Sequence, residues 1–114
     1  MMGMFTGRLS KRPVQFAEAM VEKIARQFPP TSEPQLAKKG AQRRLGAILE
    51  LIMKDLEAFQ KEIHLGWIGK ARLGNAFRWS LSDRGYSKEF VEALTEGIVM
   101  QIASQPNSTV ARRQ

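Results

Sequence analysis

The sequence predicts an all-α fold, a small four-helix bundle-like domain with loose ends. Three observations carry this reading. Apolar residues recur at three- and four-residue spacing through most of residues 13–104. Turn-forming clusters punctuate that stretch at three points. No segment alternates apolar and polar residues for long enough to form a strand.

The first helix is expected from about Pro13 to Phe28. Proline is tolerated in a first turn, where its missing N–H would have had no partner. Val14, Ala17, Met20, Val21, Ile24 and Phe28 form one stripe, and Pro29-Pro30 must end the helix because the ring removes a donor and clashes with the preceding turn. Thr31-Ser32-Glu33-Pro34 reads as the cap and first turn of a second helix. That helix carries the strongest signal in the chain: Leu45, Leu49, Ile52, Leu56, Phe59 and Ile63 form a seam of alternating four- and three-residue steps. Such a seam packs helix against helix. Projected backwards it meets Gln42 and Lys38, so the first turns must bury a weaker face or project into solvent. Gly40 and Gly46 each cost a helix about 1 kcal/mol relative to alanine, which raises the question of a bend or a close helix contact.

Leu65-Gly66-Trp67-Ile68-Gly69 reads as a break before a third helix, Lys70 to Ser82, with Leu73, Ala76, Phe77 and Leu81 on its core face. Asp83-Arg84-Gly85-Tyr86-Ser87 is a joint. Gly85 suits a left-handed helix end, Ser87 an N-cap, and Tyr86 with Val91 a hydrophobic staple. The last helix runs from Lys88 to about Ala103, with Val91, Leu94, Ile98 and Ile102 on one stripe. Residues 1–12 read as a flexible basic arm, 13–104 as one helical domain and 105–114 as a disordered tail.

Composition excludes much. The 114 residues, 43% of them hydrophobic, suffice for one core. With no cysteine there is no disulfide framework, thiolate metal site or cysteine nucleophile. His64 is the single histidine, so neither a two-histidine metal site nor a convincing Ser-His-Asp set exists in one chain. Gly66, Gly69 and Gly74 lack the preceding strand and the Ser/Thr of a phosphate-binding loop. The expectation is a cytoplasmic, non-catalytic protein with no cofactor, no metal and no membrane contact.

Charge supplies the functional clue. Lysine and arginine number 18 against 11 acids, a formal net charge of +7, and the excess is clustered. Residues 35–46 contain Lys38, Lys39, Arg43 and Arg44 and no acid; residues 67–86 contain Lys70, Arg72, Arg78 and Arg84 against Asp83 alone. The segments between are net acidic. Such blocks suit a polyanion, since phosphate contacts by Lys and Arg release condensed counterions. On the third helix Arg72, Asn75, Arg78 and Trp79 share a polar face opposite Leu73 and Phe77, which suits a backbone contact with a base stacked on the indole. Trp79 also reads as a packing residue at a helix junction, the commoner use of so large a side chain.

The expected site is therefore a DNA or RNA backbone contact through Lys38, Lys39, Arg43, Arg44, Lys70, Arg72, Asn75, Arg78, Trp79 and Arg84. These blocks are expected to converge into one cationic track. In size, charge and helix content the chain resembles the small helical subunits of nucleoprotein machines, CRISPR effector complexes among them, in which one face docks on neighbours and another tracks a phosphate backbone. The resemblance implies protein partners in a larger assembly, or self-association. One alternative is a helical interaction module without nucleic acid. Another is a helix-turn-helix regulator built on Gly85, Ser87, Val91 and Leu94. Against it, Leu81 is bulky where the helices would cross, and Glu89, Glu92 and Glu96 on the would-be recognition helix would repel phosphates.

Overall fold

The computed structural model describes residues 2–63 and 65–104, with side chains from residue 12 onward. It contains four α-helices, α1 (Met2–Gln27), α2 (Lys39–Glu62), α3 (Gly66–Arg84) and α4 (Lys88–Ala103), with a 3-10 segment (Pro30–Ala37) between the first two. No strand occurs among the described residues. The all-α expectation holds. His64 and the segment read as a tail lie outside the described residues.

Three boundaries differ from the sequence reading. Helix α1 begins at Met2 rather than near Pro13, so the stretch read as a basic arm is helical backbone. Pro13 sits inside the helix, where its ring leaves one carbonyl without its usual donor. Residues 30–37 form a separate 3-10 segment rather than the start of α2; Pro30 and Pro34 limit the backbone donors, and Lys38 is extended before α2 begins. Helix α3 starts at Gly66, whose positive φ of 67° makes the turn out of α2. The seam's last member, Ile63, lies past the end of α2 and is half-buried.

Long-range pairs give the helix directions. Arg84 of α3 reaches Glu22 of α1, and Ser80, one turn earlier, lines a surface depression together with Glu18 and Ala19, so α1 and α3 run the same way. Their contact is the most extensive between any two helices. Helix α2 runs opposite to α1: Lys23 pairs with Asp55 at 2.5 Å, and Phe16 stacks on Phe59 with centroids 4.1 Å apart. Helix α4 returns along α3, crossing it closely where a Cβ on Gly74 would come within 3.0 Å of a Val99 methyl. The molecule measures 43 × 40 × 19 Å, about two helix diameters thick.

One core unites these helices. Ala17, Met20, Val21, Ile24 and Phe28 of the first stripe join Leu73, Phe77 and Leu81 of α3 and Val91, Leu94, Ile98 and Ile102 of α4. From α2 come Ala41, Leu45, Ile48, Ile52 and Leu56, with Leu49 and Met53 half-buried against the cluster. The seam is thus largely satisfied within the chain. The α3–α4 joint is locked by polar contacts as well. Gly85 ends α3 at φ 99°, and the Ser87 hydroxyl accepts from the Phe90 N–H at 3.1 Å. Tyr86 donates to the Phe28 carbonyl at 2.6 Å and stacks on Phe90. Glu33 of the 3-10 segment accepts from both the N–H and the hydroxyl of Ser87.

Candidate nucleic-acid interface

Helix α2 starts against electrostatic preference. Its N-cap, Lys38, makes no side-chain capping bond, and the first turn holds no acid. What holds the turn is local. The Lys38 N–H donates to Gln35 O at 2.8 Å, and the Gln42 amide donates to Leu36 O at 2.7 Å, tying α2 back to the 3-10 segment. Ala41, Leu45 and Ile48 bury one face, which leaves Lys38, Lys39, Arg43 and Arg44 exposed. None of the four makes an ion pair among the described residues. Lys38 and Lys39, at the N-cap and first helical position, oppose the macrodipole, typically by about 0.3–1 kcal/mol each, while Arg43 and Arg44 stand in the second turn, beyond its main reach. The two lysines are therefore a cost to the fold rather than a support. Gly40 and Gly46 meet nothing within 4 Å of a Cβ position, so neither serves a close helix contact.

On α3 the sequence-predicted residues divide between two faces. Arg72, Asn75 and Trp79 are exposed, and Trp79, 60% exposed, is not the junction residue that its size would favour. Lys70 is half-buried and Arg78 exposed; both line a groove of about 360 Å³ between α3 and α4, with Asn75 at its edge. The other lining residues include Ala71, Gly74, Thr95, Val99, Ile102 and Ala103, which make the groove mostly apolar. Arg84 leaves the free set, since it pairs at 3.7 Å with Glu22, which also holds Arg26 at 3.1 Å.

The exposed cations of the expected site stand on two helices, α2 and α3. Helix α2 packs chiefly on the 3-10 segment, α1 and α4, and makes no substantial contact with α3. The start of α2 is tied to the segment whose Glu33 holds Ser87, close to the C-terminal end of α3. Lys70 and Arg72 lie near the other end of α3, roughly 20 Å from Arg84 at 1.5 Å per helical residue, and Arg84 is paired.

Two features escaped the sequence reading. Small residues, Ala71, Gly74 and Ala103, line the groove between the consecutive helices α3 and α4, about thirty positions apart in sequence. Gln60 sits buried on the seam side of α2 with neither amide atom hydrogen-bonded among the described residues; its place four residues after Leu56 was the available signal.

No helix among the described residues is long and apolar enough to cross a membrane, and no group of three or more His, Cys, Asp or Glu there could hold a metal ion. No protein-family model, curated protein or solved structure matches this chain. The fold and surface define a class: a small all-α protein with unneutralised cationic helix faces.

Proposed function

We propose that this chain is a non-catalytic binder of nucleic-acid backbone. It contacts phosphates through Lys38, Lys39, Arg43 and Arg44, with Arg72, Asn75 and the exposed indole of Trp79 forming a second contact face. One observation carries the reading: four exposed cations crowd the first two turns of an uncapped helix with no carboxylate partner among the described residues, and the two lysines at its start weaken it. Phosphates arriving there would replace mutual repulsion with charge-assisted hydrogen bonds and release counterions. Trp79 adds a stacking platform that favours unpaired bases.

The helix-turn-helix alternative is disfavoured by the Glu33 carboxylate. It already occupies the Ser87 N–H and hydroxyl at the start of α4, the end that would approach a groove.

Titration of fluorescently labelled single- and double-stranded DNA and RNA across a salt series tests the proposal. Four phosphate contacts give a log–log slope of about −3.6 on duplex DNA and about −2.8 on a single strand. Charge reversal at Arg43 and Arg44 abolishes binding with helicity unchanged, and Trp79→Ala weakens single-strand binding more than duplex binding. No measurable binding at low salt overturns the reading.

A further inference from the structure

We propose that α4 of a second copy seats over the groove between α3 and α4, joining two chains through antiparallel α4 helices. The inference does not depend on nucleic-acid binding. Lys70 and Arg78 flank the groove, and eight residues of helix separate them by about 12 Å. Val99, Ile102 and Gly74 contribute to an apolar floor. A groove between two helices is the natural seat for a third, whose ridges pack into it.

The charges on α4 identify the occupant. Glu89, Glu92 and Glu96 are exposed along its outer side and make no ion pair among the described residues, nor do Lys70 and Arg78. Seven residues from Glu89 to Glu96 span about 10 Å, close to the spacing of the two cations. Direction completes the match. Within one chain α4 runs antiparallel to α3 with Gly74 against Val99, a register that carries Lys70 toward Ala103 and Arg78 toward Thr95, all four lining the groove. A two-fold axis near Glu96 then sets the partner's Glu89 and Glu92 toward Lys70, and the partner's Glu96 toward Arg78. The same operation brings the exposed Val99 and Met100 of each copy against the other's α4 around Ala93. An isologous interface requires one patch to complement itself, and adjacent basic and acidic rows meet that requirement. The dimer covers Lys70 and Arg78 and presents two copies of the α2 cluster.

Sedimentation velocity of the full chain without nucleic acid, over a concentration series, tests this. The expected result is a dimer that weakens with added salt. Glu92→Lys with Glu96→Lys raises the dissociation constant by about tenfold or more, as does Lys70→Glu with Arg78→Glu. Mixing these two double variants restores dimers, because each then complements the other on both sides of the axis. That recovery separates lost pairing from misfolding. A monomer at every concentration, a dimer indifferent to both variants, or variants that stay monomeric when mixed overturns the proposal.

Discussion

The starts of α4 and α2 are built in opposite ways. At α4, Ser87 caps the helix through the Phe90 N–H, Glu89 lies in the first turn, and Glu33 reaches in from the 3-10 segment to hold Ser87. At α2, no side chain caps the helix, no acid stands in the first turn, and four lysines and arginines gather instead. Both starts bury apolar residues on one side, so the difference is electrostatic. Local rules were followed where the corner holds the fold together and broken where the surface is open. A broken rule without structural compensation marks a surface shaped by something other than stability.

The comparison can be broken or sharpened by substitution. The largest effect belongs to Phe28→Ala beneath the α4 start. The ring is fully buried and stacks on Phe90, so its removal costs about 3–5 kcal/mol in a urea titration. Leu45→Ala near the α2 start falls toward the lower end of the range for such truncations, about 2 kcal/mol, because its site can collapse toward solvent.

Next comes alkaline pH. Burial pushes the Tyr86 phenol up to about 12 from its usual 10, with Arg84 opposing and Glu33 adding to the rise. The folded state therefore keeps a proton that the unfolded chain releases near pH 10. This contribution is complete below pH 10 and is lost as pH climbs toward 12, by about 2–3 kcal/mol. The difference between wild-type and Tyr86→Phe melting temperatures should narrow across that window.

Glu33→Ala removes both bonds to Ser87 and costs about 2 kcal/mol, with Glu33→Gln recovering part of it. The smallest effects lie at α2 and run in the opposite direction. Lys38→Ser supplies a cap and Gly40→Ala removes a flexible residue with open space around it, each stabilising by about 1 kcal/mol. Thermal melts should rise for both, while Lys38→Ser also weakens nucleic-acid binding. If neither substitution stabilises, the start of α2 is not electrostatically and conformationally costly, and the contrast fails.

Much of this was readable from residue order, and the reasons are local. The last helix was placed at Lys88 to Ala103 because Gly85, Ser87 and a clean apolar stripe agree. Tyr86 and Val91, the residues of the expected staple, are both buried in the core, and the Tyr86 ring stacks on Phe90 beside them. The start of α1 was missed because proline normally opens a helix, and here the helix passes through it. The 3-10 segment was missed because Thr31-Ser32-Glu33-Pro34 carries cap chemistry, yet Glu33 spends that chemistry on Ser87, fifty-four positions away. For the site, exposure of the α2 cluster followed from its position opposite Ala41 and Leu45. The loss of Arg84 to Glu22 and the division of α3 between a groove and an open face depend on neighbours that the order of residues does not reveal.

Periodicity, capping residues and the clustering of charge determined by themselves that the chain is helical, which stripes it buries and where its cations stand along each helix. These depend on interactions within a few turns of backbone. Tertiary structure alone decided that Arg84 pairs with Glu22, that Glu33 closes the α4 start and that small residues open a groove between α3 and α4. Each depends on which helices lie side by side, and packing of complete apolar faces chooses that across the whole molecule.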